Sequence, residues 1–325
     1  MVMEVIRIDF TDIPKLEASA ACIGYFDGMH KGHQELLNRS LKIAKKNHVK
    51  SSVITFDPDP WCVFFPEKKM HHLFTMKDKI HFAEKRGFDC FYILNFTRDF
   101  ASNDVDAFHR ILYQMNVHYL ICGFDFRYAN KNSGNIHTLR EQSYFELSVI
   151  DSVNDKSIKI SSSRIEPLVY QGQVLQANRL LGYIYSLEGT IVKGFQRGSK
   201  ILGIPTANLN VNSEYVQPVV GVYAGLVSVD GIMYGAMINI GNNPTFENKF
   251  QTIEANLFNF DQDIYGIEAR FFFFDKIRDE KKFSGAKELK EQLLSDIETS
   301  KKRLKTNRRL ILNTAKLWDN KLFIE

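Results

Sequence analysis

The chain has 325 residues, which is more than one ordinary domain needs and suits two domains. Hydrophobic residues make up 44% and charged residues 25%, as in soluble globular proteins, and no apolar run approaches the ~20 residues of a membrane-spanning helix. A net charge of +4 is too small to argue for nucleic-acid binding by itself.

The first residues and the cysteines predict a cytoplasmic protein. The N-terminus has acidic residues early and lacks the basic-then-apolar pattern of a secretory signal. The cysteines are scattered without metal-ligand spacing, and Cys22, Cys90 and Cys122 lie in or beside apolar runs. Free thiols in a reducing compartment are the expectation.

Residues 1–183 alternate between apolar runs typical of strands and amphipathic runs typical of helices. The predicted strands cover residues 20–25, 52–56, 90–96, 119–124 and 147–150, and the predicted helices 34–44, 77–85 and 105–115. Such alternation predicts a doubly wound parallel sheet with helices on both faces. Ligands of such sheets bind at the carboxyl ends of the strands.

A glycine-rich stretch with two histidines, residues 24–33 (GYFDGMHKGH), ends the first of these strands and opens a helix. Imidazoles three residues apart at a helix start can donate hydrogen bonds to phosphate oxygens, where the helix dipole already favours anions. A structural histidine pair is one alternative. A metal site is another, but no further His or Cys cluster follows at ligand spacing.

This stretch resembles the HxGH signature of nucleotidyltransferases, in the form found in the FAD synthetase module of bacterial bifunctional riboflavin kinase/FAD synthetases. Residues 55–60 (TFDPDP), 123–128 (GFDFRY) and 160–166 (ISSSRIE) resemble further elements of that module. The resemblance implies a Rossmann-like nucleotidyltransferase domain over residues 1–183 that binds ATP and adenylylates FMN. The implied nucleotide-binding residues are Gly24, Phe26, Asp27, Gly28, His30, His33, Asp57, Asp125, Ser162, Ser163 and Arg164.

Three places depart from that pattern. Asp59 replaces a histidine, Ala129 and Asn130 stand where glycine is usual, and Glu166 replaces an arginine. A carboxylate at 166 would repel a triphosphate by roughly 1 kcal/mol or more, and Arg164 would offset this only in part, from the same side of an extended segment. Because losing one electrostatic donor costs about 10²–10³-fold in rate, we expect weak or absent FAD synthesis from an intact fold.

Residues 184–325 change to a β-rich pattern. The predicted strands cover residues 185–193, 221–229, 232–240, 253–260 and 267–275. Asp230-Gly231 is a two-residue hairpin signal, and apolar residues recur at helical spacing over residues 286–304. This pattern predicts a small antiparallel β-barrel with a C-terminal helix.

Residues 194–208 (GFQRGSKILGIPTAN) join a glycine-interrupted basic loop to a short extended string. Glycines let backbone N–H groups approach an anion, and Arg197 and Lys200 add positive charge. Thr206 and Asn208 lie on one side of an extended segment, where their oxygens can reach one Mg²⁺ ion. A surface loop punctuated by glycine and proline is the alternative.

The stretch resembles the phosphate and metal loop of riboflavin kinases. Residues 221–224 (GVYA), 239–246 (NIGNNPTF), 263–266 (DIYG) and 278–283 (RDEKKF) continue the resemblance. It implies ATP binding in a domain spanning 184–325, Mg²⁺ at Thr206 and Asn208, and flavin contacts at Arg278 and Phe283. The implied ATP and phosphate ligands are Gly194, Arg197, Gly198, Lys200, Gly203, Pro205, Thr206 and Asn208.

Glu254 is the implied catalytic base, acting on the terminal ribityl hydroxyl of riboflavin. A carboxylate that orients the attacking hydroxyl suits phosphoryl transfer, which depends mostly on positioning and charge neutralisation. A glutamate in an apolar alternating strand also needs solvent or a function. An outward-facing surface glutamate is the alternative. The usual E-x-H of the family reads Glu254-Ala255-Asn256 here.

Three functions therefore compete. The first is a riboflavin kinase, converting ATP and riboflavin to FMN with Mg²⁺, whose N-terminal domain makes little or no FAD. The second is a fully bifunctional enzyme. The third is a flavin-binding regulatory protein that contacts nucleic acid through the basic run 301–309, although such a run is more often the solvated end of a helix. Riboflavin, FMN and ATP are the expected partners, no membrane partner is expected, and the sequence leaves the oligomeric state open.

Overall fold

The computed structural model describes residues 2–193, 206–211, 214–242 and 251–324. Its internal contacts divide the chain into two compact units, Met1–Ser161 and Ser162–Glu325. Each unit builds its own main sheet.

A single parallel sheet forms the centre of the first unit. Its strands are β1 (Glu4–Ile8), β2 (Ser19–Ile23), β3 (Lys50–Asp57), β4 (Cys90–Asn95), β5 (Val117–Gly123) and β6 (Glu146–Ile150). They lie in the order β1-β4-β3-β2-β5-β6, so the chain winds outwards from β2 in both directions. The predicted doubly wound sheet is confirmed, and β1 is an additional edge strand. The switch of direction between β2 and β5 marks the crevice where such sheets bind ligands.

Helices cover this sheet and begin at side chains that cap them. They are α1 (Lys31–Asn47), α2 (Pro60–Phe64), α3 (Met76–Arg86), α4 (Arg98–Ser102), α5 (Val105–Gln114) and α6 (Ile136–Glu141). His30 caps α1, and Thr75 with Asp78 forms a capping box on α3. α3 ends at Gly87, whose φ of 80° only glycine adopts readily. A short hairpin, β7 (Asn154–Asp155) and β8 (Ile158–Lys159), follows β6.

The second unit is a closed antiparallel barrel of six strands. They are β9 (Ser186–Val192), β10 (Ala207–Val211), β11 (Gly221–Val229), β12 (Ile232–Asn242), β13 (Gln251–Leu257) and β14 (Glu268–Arg278). The order is β11-β14-β9-β10-β13-β12, and pairing of β11 with β12 closes the barrel. Asp230 and Gly231 turn with positive φ, as the hairpin signal predicted. β15 (Lys321–Phe323) adds to β12 in parallel.

Helices pack on the outside of the barrel. They are α7 (Ser162–Tyr170), α8 (Val174–Leu181), α9 (Ala286–Leu304) and α10 (Arg308–Leu317). The predicted domain boundary lies between residues 183 and 184, whereas α7 and α8 belong to the same unit as the barrel. Asn178 Nδ2, for example, donates to the carbonyl oxygen of Phe273 at 2.9 Å. The predicted C-terminal helix is confirmed as α9.

The basic run 301–309 spans the end of α9 and the start of α10. Leu304 within it is buried against the barrel, and Arg303 pairs with Asp275 on β14 at 3.3 Å. Lys301 pairs with Glu298 one turn earlier at 3.3 Å. Two of the basic residues thus form ion pairs within the second unit. Binding of nucleic acid by this run stays a hypothesis.

Candidate active sites in the two units

The histidine pair lies at the carboxyl end of β2, the strand from which the first sheet winds outwards. His30 Nδ1 accepts the backbone N–H of His33 at 3.2 Å, and the two rings stack with centroids 3.6 Å apart. Burial lowers the pKa of His30 to about 4 and that of His33 well below its usual value. Both rings are therefore neutral near pH 7, and His30 carries its proton on Nε2. His33 Nδ1 is buried and has no hydrogen-bond partner among the described residues.

The loop that carries the pair is held in a strained backbone conformation. Phe26, Gly28 and Met29 have φ values of 56°, 72° and 38°, in the left-handed region. The Phe26 ring is fully buried and meets the His33 ring edge to face at 5.3 Å. Strain of this kind, held in place by surrounding contacts, concentrates at functional sites.

Asp27 ties this loop to the segment before α3. Its buried carboxylate accepts the backbone N–H groups of Leu73 and Phe74 at 2.9 and 3.0 Å. Gly24 packs closely on the same loop, since a Cβ there would lie 3.2 Å from the Phe26 ring. These two residues therefore shape the loop.

The aspartates after β3 make local structural contacts. Asp57 pairs with Arg7 at 2.6 Å. Asp59 caps α2 by accepting the N–H of Trp61 at 2.7 Å, and its other oxygen lies 3.8 Å from His72 Nε2. The replacement of histidine by Asp59 thus supplies a good N-cap side chain and an imidazole partner.

Asp125 extends the histidine site from the turn after β5. It pairs with Lys159 of β8, whose Nζ also lies 4.9 Å from the Phe124 ring centroid. The charges of Lys159 and Asp125 both act on the pKa of His30, the first lowering it and the second raising it. The structure therefore brings Asp125 and the histidine pair together.

Exposed aromatic rings on α2 are a feature that the sequence analysis missed. Trp61, Phe64 and Phe65 are 60%, 47% and 40% exposed, directly after the carboxyl end of β3. The rings of Trp61 and Phe65 stack with centroids 6.0 Å apart. Clustered exposed aromatics mark surfaces that bind a ligand or partner. The run of aromatics in residues 61–65 (WCVFF) is the signal that would have indicated them.

Ser162, Ser163 and Arg164 lie in α7, within the second unit, and so does Glu166. The interpretation of this segment as extended is wrong. Side chains two residues apart on a helix point about 200° apart, so Arg164 and Glu166 do not share a side. Glu166 therefore does not lie in an extended phosphate loop with Arg164 on the same side.

Ala129 occupies a backbone conformation suited to glycine. Its φ of 61° and ψ of 179° fall in a region that is essentially restricted to glycine and costs of order 1–3 kcal/mol for other residues. We expect Ala129→Gly to raise the free energy of unfolding of the first unit by about 1 kcal/mol, after glycine's greater unfolded-state entropy is subtracted. Denaturant unfolding followed by circular dichroism measures this change.

Ala101→Gly is the matched control, because Ala101 lies within α4. There we expect the free energy of unfolding to fall by about 1 kcal/mol, because glycine destabilises a helix by that amount relative to alanine. Equal losses from both substitutions would show that Ala129 is not strained.

In the second unit, strand pairing places Asn208 directly opposite Glu254. Asn208 of β10 pairs with Glu254 of β13, and Leu209 pairs with Ile253. Directly opposed residues have Cβ atoms about 4.5–5.5 Å apart and point to the same face. Thr206 lies just before β10, two residues from Asn208. The structure thus places Asn208, one of the two predicted metal ligands, opposite the predicted base.

Glu254 points away from the apolar side of its strand. Ile253 and Ala255 are buried, with only 2% and 0% of their surface exposed. Glu254 is half-buried and lies on the alternate face with Thr252 and Asn256. Partial burial fits both the predicted base and the alternative, an outward-facing surface glutamate, so the role of Glu254 stays a prediction. Hydroxyl, amide and carboxylate oxygens on one face are the donors that Mg²⁺ accepts.

The same face continues across the barrel to helix α9. Glu254 pairs with Asn239 on β12, which pairs with Val222 on β11, which pairs with Arg278 on β14. Arg278 then donates from Nη2 to the buried carboxylate of Asp296 on α9 at 2.7 Å. A row of polar side chains, interrupted by Val222, therefore links the predicted base to a predicted flavin contact.

The other predicted flavin contact, Phe283, follows β14. Its ring centroid lies 5.7 Å from the guanidinium carbon of Arg278 and 5.4 Å from Lys281 Nζ. The structure thus brings the two predicted flavin contacts together. Their role in binding stays a prediction.

A cavity joins two sequence motifs beside this face. Thr206 and Ala207, from the PTAN string, line it on one side. Asp263, Ile264 and Tyr265, from the DIYG string, line it on the other. The remaining ATP-loop predictions lie outside the described residues: Gly194, Arg197, Gly198, Lys200, Gly203 and Pro205.

Sequence comparisons match both units to known families. A family model described as FAD synthetase matches residues 12–164, and one described as riboflavin kinase matches residues 181–304. The bifunctional riboflavin kinase/FMN adenylyltransferase of Bacillus subtilis is 36% identical over 285 residues, covering 86% of this chain and 90% of that protein. Its counterpart in Listeria monocytogenes is 36% identical over 293 residues, covering 89% and 92%.

A crystal structure named as a macrolide-efflux protein from Streptococcus pneumoniae is also similar. It superposes with a TM-score of 0.85 at 33% identity, covering 92% of this chain and 99% of that one. In the part of the chain that the structure describes, no helix is both long enough and apolar enough to cross a membrane.

Proposed function

The chain belongs to the bifunctional riboflavin kinase/FMN adenylyltransferase family, and from that premise we propose that it catalyses both reactions. The second unit transfers the γ-phosphoryl group of ATP to riboflavin and gives FMN. The first unit transfers the adenylyl group of a second ATP to FMN and gives FAD and pyrophosphate.

The expectation of a weak or inactive first unit is not supported. Relatives matched over most of their length are named for both activities, and the FAD synthetase model matches residues 12–164. The repulsion expected from Glu166 assumed an extended phosphate loop, whereas this residue lies in α7. The alternative of a full bifunctional enzyme therefore fits better.

The observation that carries the kinase proposal is the register of β10 and β13. It sets Glu254 opposite Asn208, which follows Thr206 by two residues. In the proposed step the carboxylate of Glu254 accepts the proton of the terminal ribityl hydroxyl as its oxygen attacks the γ-phosphorus. Thr206 and Asn208 would hold Mg²⁺, which supplies charge neutralisation at the phosphates when bound.

The adenylyl proposal depends on the histidine pair at the carboxyl end of β2. A phosphate oxygen of FMN attacks the α-phosphorus of ATP, and pyrophosphate leaves. His30 and His33, both neutral, act as N–H donors to the phosphate oxygens as negative charge shifts to the leaving group. The exposed rings of Trp61 and Phe64 offer an apolar surface for the isoalloxazine ring.

One product analysis tests the whole proposal. The purified chain is incubated with ATP, Mg²⁺ and riboflavin, and riboflavin, FMN and FAD are separated by chromatography over time. We expect FMN to rise first and FAD to follow, because FMN is the product of one unit and the substrate of the other. FMN without FAD would remove the adenylyl proposal, and tight flavin binding without conversion would favour the regulatory hypothesis.

A further inference from the structure

A buried lysine on α3 lies beside the loop that carries the histidine pair. The side chain of Lys79 is only 3% exposed, which is rare for lysine unless it is paired. Burial lowers its pKa, while carboxylates around it act in the opposite direction and favour the charged form. These carboxylates are, in order of influence, Asp27, Asp59, Asp57 and Asp78.

Lys79 contacts one residue of that loop, Tyr25, and acts electrostatically on another, Asp27. Its Nζ lies 3.8 Å from the ring centroid of Tyr25, a close cation–π contact, and Asp27 is the carboxylate with the largest influence on it. The Tyr25 hydroxyl lies 3.3 Å from His72 Nδ1, and His72 in turn faces Asp59. One buried cation is thus surrounded by groups from the loop, from the segment after β3 and from the segment before α3.

The loop needs such support because its backbone is strained at Phe26 and Met29, which have positive φ without being glycine. Left-handed conformations at bulky residues persist only when surrounding contacts hold them. Tyr25 and Asp27 flank Phe26, and Lys79 acts on both. Loss of its charge would remove a cation that interacts with the buried Asp27 carboxylate, which holds the loop to Leu73 and Phe74.

Resting on the proposed adenylyl transfer, we propose that Lys79 is a positioning residue for that reaction. Its buried cation fixes Tyr25 and Asp27, and thereby sets the direction in which His30 and His33 present N–H donors to the phosphates of ATP. Lys79 is too enclosed to contact the nucleotide itself.

The charge of Lys79 also lowers the pKa of His33, so the pH dependence of FAD formation reports specifically on this charge. His30, Lys79 and Lys159 all lower the pKa of His33 in addition to burial. Lys159 and Asp125 are the charged groups that act on His30. Removing the Lys79 cation therefore raises the pKa of His33. Because the proposed donors are the two neutral, stacked rings, and a charge on His33 would disturb that pair, the acidic limb of the adenylylation rate profile moves to higher pH.

The test compares Lys79→Met, which keeps length and apolar burial, with Lys77→Met on the exposed side of the same helix. Formation of FAD from FMN and ATP is measured between pH 5 and 8, and riboflavin phosphorylation by the second unit serves as the control within the same molecule. For Lys79→Met we expect kcat for FAD formation to fall at least tenfold, the acidic limb to shift upwards and phosphorylation to stay within twofold. Lys77→Met should match the parent in all three.

Adenylylation by Lys79→Met at the parental rate and with the parental pH profile would overturn the inference. A parent chain that makes no FAD at all would instead overturn the proposed function. If Lys79→Met unfolds the first unit, as circular dichroism would reveal, Tyr25→Leu decides the question, since it removes the ring beneath the cation. A tenfold loss of FAD formation in folded Tyr25→Leu supports the inference, and an unchanged rate overturns it.

Discussion

Replacing Glu254 by glutamine lowers kcat for riboflavin phosphorylation by about 10²–10⁴-fold, the range typical for loss of a general base. Glutamine keeps the shape and the hydrogen-bonding oxygen, so the face shared with Asn208 stays intact. It cannot accept the proton of the attacking hydroxyl. A steady-state assay of FMN formation measures the loss, and the KM for ATP should change little.

The control for this substitution is Glu268→Gln at the start of β14, an exposed carboxylate of the same barrel. It should phosphorylate riboflavin at the parental rate. Formation of FAD from added FMN should be normal in both variants, because that reaction belongs to the other unit. Brisk turnover by Glu254→Gln would falsify the assignment of Glu254 as the base.

Replacing His30 by asparagine lowers the rate of FAD formation by about 10²–10³-fold, as expected when one donor to developing charge is lost. Asparagine is a favoured N-cap residue, so it can replace Nδ1 in accepting the N–H of His33. What it lacks is the Nε2–H donor. The measurement is FAD formation from FMN and ATP, with riboflavin phosphorylation expected to be unaffected.

His48→Asn provides the matched control at the other end of α1. His48 adopts a left-handed conformation with φ of 54°, which asparagine tolerates, and it lies far along the helix from the loop. We expect the parental rate of FAD formation. If His30→Asn were as active as His48→Asn, the histidine pair would be structural, as one interpretation of the sequence allowed.

Hydrophobic patterning predicted most of the fold, and its failures have identifiable causes. β1 was missed because it is a half-exposed edge strand with Glu4 and Arg7 in it, so it lacks an apolar run. α10 was missed because its first residues are basic and were interpreted as part of a charged run. Its buried residues Leu310, Ile311 and Ala315 were therefore not recognised as an apolar helix face. α7 was taken as extended because its start coincides with a run of three serines, Ser161 before the helix and Ser162 and Ser163 within it, and serine is frequent in loops.

The candidate sites were predictable as motifs but not as arrangements. Resemblance selected Glu254 and Asn208, whereas their direct opposition depends on the register between two strands that are distant in the chain. Register is set by the turns and by the barrel core, neither of which a linear pattern specifies. The burial of Lys79 could not be predicted from the sequence either, because a lysine in an amphipathic helix normally indicates the solvated side.

The alternation along β13 makes the kinase unusually sensitive to chain length at one point. Inserting a single residue ahead of Glu254 within the strand would rotate its carboxylate towards the apolar side and bring Ile253 to the phosphates. A second inserted residue would restore the orientation, displaced by one pair of positions along the strand. Natural variation in this enzyme should therefore tolerate substitutions within β13 far better than odd-numbered length changes.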